Sequence, residues 1–277
     1  MAAARCARAV IEYDGTAFTG SQRQPGSRTV QGELEEALNR LTGERIAIRL
    51  AGRTDAGVHA TGQVAAFCLP PTRGGERYDW PELRRRLNAV LPPDLAVRSL
   101  RAAPPGFDPR REAIERVYRY RIRMGGAKRP LDRHRTLEIG ERLDVEAMQA
   151  AAGLMLGERD FAALGADPAG RGRTVRRVSS VVVRRRGELL EVRVAADAFL
   201  RRMVRSLVAL LLAVGRGEIR AADAARLLDR GERALAGRAA PARGLTLERV
   251  RYGARSDSRT STTIETAGES RSREQET

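Results

Sequence analysis

The sequence predicts an α+β fold made of two pseudo-symmetric halves, each with the element order β-α-β-β-α-β and an antiparallel sheet. Two observations carry this prediction. Short stretches of alternating apolar residues, typical of strands, are interspersed with stretches in which apolar residues recur every three or four positions, typical of helices. The same order of elements then occurs twice in 277 residues, of which 42% are hydrophobic, enough for a buried core.

The first predicted half, residues 1–104, begins and ends with a strand. Thr29 is a suitable N-cap for its first helix, and Pro81 is placed at the first position of its second helix. A glycine-rich loop separates its two middle strands. The predicted elements are a strand near 8–13, a helix near 30–42, strands near 45–51 and 62–69, a helix that opens at Trp80, and a strand at 95–100.

The second predicted half, residues 105–253, repeats this order and adds a short helix near 221–230. Its other elements are a strand at 116–124, a helix near 144–157, strands near 174–185 and 188–196, a helix at 199–214 and a strand near 245–252. Two copies of this ferredoxin-like unit predict a central cleft where the halves meet, a common position for a ligand. Residues 254–277 contain almost nothing apolar and are predicted to form a disordered tail.

The composition narrows the possible chemistry. Cys6 and Cys68 are too few for a disulfide framework, and with only two histidines a zinc or redox site is not expected. Lys128, the single lysine, lies in a turn-like stretch that does not suit a Schiff-base amine. The sequence has no glycine-rich phosphate loop. It therefore predicts neither a metal nor a cofactor and leaves carboxylate, arginine and tyrosine chemistry.

The net charge of +16 indicates a polyanionic partner, either nucleic acid or a membrane surface. Genomic base composition can explain the use of arginine in place of lysine, but it does not explain 51 basic against 35 acidic residues. No apolar stretch is long enough to span a bilayer, and the N-terminus lacks the long apolar region of a signal peptide. The sequence thus predicts a cytoplasmic protein with no membrane partner.

The glycine-rich loop, residues 52–63 with the sequence GRTDAGVHATGQ, presents Asp55 beside the cation of Arg53. Gly52, Gly57 and Gly62 allow positive φ or a close backbone approach, so the loop can fold tightly around a ligand. An aspartate in such a turn is more often a capping residue than a catalyst. The rest of the chain decides between the two interpretations.

Two further segments place arginines and tyrosines together. In the strand that begins at Arg116, alternation puts Tyr118 on one face and a row of arginines on the other. In the predicted helix at 199–214, Arg201, Arg202 and Arg205 share an arc opposite an apolar stripe. Arg205 lies at the inner edge of that arc, where a guanidinium needs a carboxylate or substrate partner.

These motifs resemble the tRNA pseudouridine synthase A family. The resemblance covers about residues 8–252, with the motifs in the family's order and the catalytic-loop run the most specific. The matching stretches are Tyr13-Asp14-Gly15-Thr16, Gly20 with Gln22-Arg23-Gln24, Thr29 to Glu35, Gly52 to His59 with Gly62-Gln63, Leu87-Asn88, Leu91-Pro92, Tyr118-Arg119-Tyr120, Asp160-Phe161, Phe199 to Arg205, Ala240-Pro241 and Gly244-Leu245.

The resemblance implies isomerisation of uridine to pseudouridine at positions 38 to 40 of the tRNA anticodon stem-loop, without cofactor or metal. Asp55 would be the nucleophile, attacking either ribose C1′ or uracil C6 of a flipped nucleotide. Arg53 and Arg205 would hold Asp55 ionised and fill the vacated stack. Tyr118 would stack on the uracil and take the C5 proton, although a phenol is a weak base at neutral pH.

Further residues are assigned to substrate binding by the same resemblance. Leu247 would line the uracil pocket, and Asp14 would support the catalytic loop from the neighbouring strand. Phe107 and Arg110 would contact RNA, as the parts of a family stretch that this chain retains. The resemblance also implies a homodimer whose second subunit helps to bind the tRNA.

The chain departs from the family pattern at two places. Ser21 stands where the family usually has tryptophan, which removes an aromatic side chain that can pack or contact RNA. In the segment 107–112, Asp108 and Glu112 add negative charge in place of uncharged residues. Both changes are expected to affect RNA positioning more than chemistry.

Two alternatives from other functional classes remain at this point. A non-catalytic tandem RNA-binding protein of the same fold would explain the arginines and aromatic residues, but it has no use for an acid that faces phosphate. A basic peripheral membrane protein is supported by charge alone, and neither end of the chain has a basic amphipathic anchor helix.

Overall fold

The structure, a computed structural model, describes residues 5–70, 79–104, 106–126, 128–167, 172–229 and 239–253. The predicted tail at 254–277 lies outside the described residues. The strands are β1 (Arg5–Tyr13), β2 (Arg49–Leu50), β3 (His59–Leu69), β4 (Leu95–Ala102), β5 (Ala113–Met124), β6 (Leu137–Ile139), β7 (Gly157–Asp160), β8 (Val175–Arg186), β9 (Leu189–Ala196) and β10 (Leu245–Tyr252). The helices are α1 (Val30–Thr42), α2 (Trp80–Val90), α3 (Val145–Gly153), α4 (Met203–Gly215) and α5 (Ala221–Asp229).

All ten of these strands belong to one sheet. Its main path is β4-β1-β3-β10-β5-β9-β8-β7, with β2 paired to β3 and β6 paired to β5. Neighbouring strands are antiparallel except at the β3–β10 and β5–β6 pairs. The prediction of a mixed α and β fold with mostly antiparallel pairing is confirmed. The prediction of two separate sheets is wrong, because β10 joins the two parts into a continuous sheet.

The junction between β3 and β10 determines where the glycine-rich loop lies. Only two residue pairs form this parallel contact, His59 with Thr246 and Ala60 with Leu247. On its other edge β10 pairs with β5, and Leu247 lies opposite Tyr118. The start of β3, which follows the loop, is therefore one strand away from Tyr118 at the centre of the sheet.

Helix α4 forms much of the core, with eleven of its thirteen residues buried. It begins at Met203 and not at residue 199 as predicted, because Arg202 adopts φ 65°, the left-handed region, immediately before it. Phe199 and Arg201 therefore belong to the segment that leads into α4, and the predicted helical arc of three arginines does not exist. No helix in the described ranges combines the length and the apolar character that a membrane crossing requires.

Three other boundaries differ from the predictions. Helix α3 ends at Gly153, and Gly157, predicted as its end, instead begins β7. Strand β2 has two residues where a strand over 45–51 was predicted. Pro81 lies at the second position of α2, because Asp79 is the N-cap residue. Strands β6 and β7 were not predicted, since three or four residues are too few to show a periodic pattern.

The two cysteines are cross-strand neighbours. Cys6 of β1 lies opposite Cys68 of β3, and the two form a disulfide. The sequence analysis excluded a framework of several disulfides and did not predict this single bridge, because the register of β1 against β3 cannot be read from cysteine spacing.

Four buried tyrosines predict a loss of stability at alkaline pH. Burial is the main cause that raises the pKa of each, to about 12 for Tyr13 and higher for Tyr118, Tyr120 and Tyr252. Above pH 10 the unfolded chain therefore releases protons that the folded chain retains, so the free energy of unfolding falls as pH rises, by about 1 kcal/mol per pH unit for each tyrosine. Urea unfolding between pH 8 and 11 measures this. A midpoint that stays constant over that range would contradict it, and Tyr252→Phe should reduce the slope.

Candidate active site

The loop that carries Asp55 connects β2 to β3 and is held by several other segments. The Thr54 N–H donates to the Ser21 hydroxyl at 2.8 Å, and the Ser21 N–H donates to the Thr54 carbonyl at 3.1 Å. The hydroxyls of Thr54 and Tyr13 share a hydrogen bond of 2.8 Å. The Gln63 side chain donates to the Gly52 carbonyl at 2.8 Å. The residues that precede Asp55 are therefore held by hydrogen bonds to three other segments, which fixes the backbone from which its carboxylate is presented.

Ser21 thus contacts the loop that carries Asp55. It is completely buried, and its hydroxyl accepts a hydrogen bond from the N–H of Thr54, the residue that precedes Asp55. Buried N–H groups almost always have such a partner, since leaving one unpaired is costly. Ser21 therefore supports the loop that carries Asp55, and the expected effect of this departure on RNA positioning stays a prediction.

Two glycines of the loop region are required by its geometry. Gly57 has φ +76°, in the left-handed region where other residues are strained. A Cβ on Gly62 would lie 2.2 Å from the carbonyl oxygen of Glu248 in β10, so only glycine allows this approach of β3 to β10. Gly52, which was expected to serve in the same way, has neither a positive φ nor a close neighbour.

The loop forms one wall of a cavity of about 640 Å³. The other walls come from the segment after β1, from β5, and from the segment that leads into α4. Among the lining residues the only acids are Asp55 and Asp167, and the arginines are Arg53, Arg110, Arg116, Arg176, Arg201, Arg202 and Arg205. A concave surface with such an excess of guanidinium groups attracts a polyanion such as RNA.

Asp55 and Arg205 form an ion pair inside this cavity. The Arg205 Nη1 donates to Asp55 Oδ2 at 3.1 Å, with side-chain exposures of 18% for Arg205 and 30% for Asp55. The Arg205 Nε donates to the carbonyl of Ala240 at 2.7 Å, and the Ala240 N–H donates back to the carbonyl of Arg205 at 3.0 Å. The guanidinium is therefore oriented from two sides, while one face of the carboxylate remains open to the cavity.

Arg53 does not contact Asp55. Its side chain is exposed at the wall of the cavity and makes no ion pair within the described part of the chain. Of the two arginines expected beside the carboxylate, the structure brings only Arg205 to it. Arg53, Arg110, Arg201 and Arg202 are all exposed along the cavity and leave their guanidinium groups available to phosphates.

Tyr118 lines the same cavity and differs from the other buried tyrosines. Its ring meets the ring of Phe199 edge to face, with centroids 5.1 Å apart and planes at 86°. The hydroxyls of Tyr13, Tyr120 and Tyr252 are each hydrogen-bonded within the protein. The Tyr118 hydroxyl has no such partner among the described residues, although the residue is only 7% exposed. A hydroxyl without a protein partner at the wall of a cavity is available to a ligand.

The environment of Tyr118 keeps its hydroxyl protonated. Burial is the main cause that raises the pKa of Tyr118 well above its usual value, and Tyr13 and Asp55 act in the same direction. Arg116 acts in the opposite direction. At neutral pH the side chain is therefore a neutral phenol that can donate one hydrogen bond and accept another.

Three residues assigned to the substrate by the resemblance lie outside the cavity lining. Phe107 is buried and packs on Tyr252, with ring centroids 5.3 Å apart. Leu247 is completely buried in β10, whereas Leu245, two residues earlier on the same face, lines the cavity. Asp14 caps the short turn after β1 and pairs with Arg135 at 3.2 Å, so it supports local structure beside the loop.

In the altered segment 107–112, the carboxylates of Asp108 and Glu112 accept hydrogen bonds from backbone N–H groups of the segment itself. Burial alone would raise the pKa of Asp108, but N–H groups of Arg111 and Arg110 and the charge of Arg49 lower it below its usual value. The Glu112 carboxylate accepts from the Asp108 N–H at 2.9 Å. Both acids therefore stabilise the loop that places Arg110 at the cavity, and their expected effect on RNA positioning stays a prediction.

Two residues that line the cavity, Arg116 and Leu245, were not predicted from the sequence. Arg116 is two residues before Tyr118, so the alternation that placed Tyr118 on one strand face places Arg116 on the same face. That signal was present in the sequence. No comparable signal distinguishes Leu245 from Leu247, because both lie on one face of β10 and only the end of the strand reaches the cavity.

Comparison with known proteins identifies the family to which the chain belongs. A family model described as tRNA pseudouridine synthase matches residues 9–110 and 151–253, which places the chain in that class of enzyme. A relative named tRNA pseudouridine synthase A from Chloroflexus aurantiacus is 49% identical over 249 residues, which are 88% of this chain and 87% of the relative. The protein of the same name from Geobacter sulfurreducens is 41% identical over 90% of this chain and all of its own length. The chain belongs to the tRNA pseudouridine synthase A family.

Among solved structures, a chain from a crystal structure of a Cbf5-Nop10-Gar1 complex covers 74% of this chain, and 54% of its own length is matched. The TM-score is 0.31 and the identity 13%. This likeness is too low to support a conclusion about the protein.

Proposed function

We propose that this protein isomerises uridine to pseudouridine at positions 38, 39 and 40 of the anticodon stem-loop of tRNA, with Asp55 as the nucleophile. The observation that carries the proposal is the Asp55–Arg205 ion pair, which lies next to the unpartnered hydroxyl of Tyr118 in a cavity rich in arginine. An RNA-binding surface needs the arginines, but only a reaction needs the carboxylate among them.

The cavity residues have different roles in the proposed reaction. Exposed arginines such as Arg201 and Arg202 bind phosphates and hold the RNA while the target nucleotide leaves its stack. The ring of Tyr118 offers the uracil an aromatic face. The open side of the Asp55 carboxylate then adds to ribose C1′ or to uracil C6, and Arg205 fixes its orientation.

The bond changes balance without any additional reagent. The glycosidic N1–C1′ bond breaks, the base turns, and a C5–C1′ bond forms while the bond to Asp55 is released. The reaction removes one proton from C5 and returns one to N1. The Tyr118 hydroxyl is the group suited to receive the C5 proton, provided that it passes its own proton on, because burial prevents it from starting as a phenolate.

The protein is proposed to consist of two homologous domains, residues 1–104 and 105–253. The strand orders support this division, because, when the short strands β6 and β7 are set aside, both parts have their fourth strand beside the first, then the third, then the second. These orders are β4-β1-β3-β2 and β10-β5-β9-β8. The active site then lies in a cleft between ferredoxin-like halves. The family also implies a homodimer in the cytoplasm, where the Cys6–Cys68 bridge is expected to be reduced.

Release of tritium from tRNA that carries [5-³H]uridine tests the proposal, since C5 loses its hydrogen in either chemical route. The purified protein, without added metal or cofactor, should release tritium from a transcript with uridines at positions 38 to 40. A matched transcript with cytidines at these three positions, and all other uridines labelled, should release none. Equal release from both transcripts would contradict the proposed position.

The same experiment tests the alternative of a non-catalytic RNA-binding protein. That alternative predicts tRNA binding without tritium release from any transcript. The ion pair of Asp55 argues against it, because a carboxylate in a phosphate-binding surface weakens binding unless it has another purpose.

A further inference from the structure

Arg116 is a buried cation with no carboxylate partner. It is 8% exposed, lies at the cavity wall on the same face of β5 as Tyr118, and makes no ion pair with any described acid. Burial lowers its pKa below the usual value, with smaller contributions from neighbouring groups. Burying an arginine in this way costs free energy, and a neutral residue would avoid the cost. Stability therefore does not explain why an arginine occupies position 116.

The guanidinium is fully engaged with the backbone. Its Nη1 donates to the carbonyls of Ala113 at 3.0 Å and Asp197 at 2.5 Å. Its Nη2 donates to the carbonyls of Ala51 at 3.2 Å and Arg110 at 2.6 Å. All four terminal N–H groups are thus used by main-chain oxygens, in the fixed planar directions that only a guanidinium offers.

These carbonyls belong to three segments that form separate walls of the cavity. Ala51 immediately precedes the loop that carries Asp55. Asp197 begins the segment that carries Phe199 and leads to Arg205. Arg110 belongs to the loop before β5. None of the three segments is continuous in sequence with another, and the side chain of Arg116 is hydrogen-bonded to all of them.

We infer that Arg116 is a positioning residue for the proposed isomerisation. Its side chain holds the Asp55 loop in position relative to the segment that carries Phe199 and Arg205. The inference rests on the proposed function. Misplacing a reacting group by about 1 Å costs on the order of 100-fold in rate, while binding of the RNA depends on exposed arginines elsewhere. Loss of the guanidinium should therefore lower the rate of the chemical step and leave the affinity for tRNA almost unchanged.

The test compares Arg116→Lys with Arg119→Lys. Lysine keeps the charge but has one nitrogen in place of the planar fork. Arg119 is a matched control, because it lies on the same strand with its side chain on the other face, 22% exposed and paired to Glu248 at 3.2 Å. In single-turnover tritium release, Arg116→Lys should be about 100-fold slower than wild type with a Kd within about threefold, and Arg119→Lys should change neither quantity by more than about threefold.

Chemical rescue distinguishes the loss of the planar hydrogen-bond donors from the loss of the positive charge or of the folded structure. Arg116→Ala should regain at least about tenfold in rate with added methylguanidinium and should gain nothing from methylammonium, because only the former restores the planar donors. Equal rescue by both cations would overturn the inference, as would a wild-type rate in Arg116→Lys. A parallel fall of rate, affinity and unfolding midpoint in Arg116→Lys, together with no rescue of Arg116→Ala, would reduce Arg116 to a structural role.

A measurement on the free protein, without RNA, tests this inference independently of the proposed function. Amide hydrogen exchange over residues 51–57 should be faster in Arg116→Lys than in wild type or Arg119→Lys. If wild type released no tritium, the proposed function would fail, and this exchange would still decide whether Arg116 fixes the loop. Unchanged exchange in Arg116→Lys would overturn the positioning role.

Discussion

Asp55→Asn is expected to reduce tritium release from [5-³H]uridine tRNA by about 10⁴-fold or more, since it removes a nucleophile on which both proposed chemical routes depend. Asparagine has nearly the same size and can still accept a hydrogen bond from Arg205, whose Nη1 lies 3.1 Å from the carboxylate. The loop is anchored through Thr54 and Gly52, so its backbone should not move. The affinity for tRNA should stay the same or rise, because one negative charge leaves the cavity.

Asp223→Asn is the matched control for this substitution. Asp223 lies on α5, is not among the cavity residues, and pairs with Arg220 at 2.7 Å and Arg226 at 3.3 Å. It should release tritium at the wild-type rate. The two variants and wild type are compared at equal tRNA saturation, with binding measured separately by filter retention. An Asp55→Asn rate within tenfold of wild type would contradict a nucleophilic role.

The part of the site that could be predicted from the sequence is the part whose chemistry is local. Arg53, Asp55 and the glycines around them follow one another in the chain, so a turn that presents an acid could be recognised without knowing the fold. The need of Arg205 for a partner followed from its position at an apolar edge. The identity of that partner, 150 residues away, was implied by the family resemblance and not by the residues around Arg205, and the structure shows the ion pair.

The features that were mispredicted depend on contacts between distant segments. Periodicity shows that β3 and β10 are strands, but the junction between them rests on two residue pairs almost 190 positions apart, so two sheets were predicted where there is one. Arg202 has a left-handed backbone immediately before α4, so the helix begins later than the apolar pattern predicts. No glycine or proline marks this boundary in the sequence. Phe107 belongs to a family motif and packs against Tyr252 outside the cavity lining, and its contact with RNA stays a prediction.

Tyr118→Phe is expected to separate the two roles of this residue. Phenylalanine keeps the aromatic ring, including its edge-to-face contact with Phe199, and removes only the hydroxyl. If that hydroxyl relays the C5 proton, the rate of tritium release should fall by about 10²- to 10⁴-fold, the usual contribution of general acid–base catalysis. The affinity for tRNA should be nearly unchanged, because stacking is preserved.

Stability gives this substitution a second, independent signature. The Tyr118 hydroxyl has no partner among the described residues, so its removal should leave the free energy of unfolding unchanged or slightly higher. Tyr252→Phe is the matched control: it breaks a hydrogen bond of 2.7 Å to the carbonyl of Pro109 and should lose about 1 kcal/mol while keeping most of its rate. The two substitutions should therefore show opposite patterns of activity and stability. A Tyr118→Phe protein with the wild-type rate would restrict Tyr118 to stacking and would assign the proton transfer to another group.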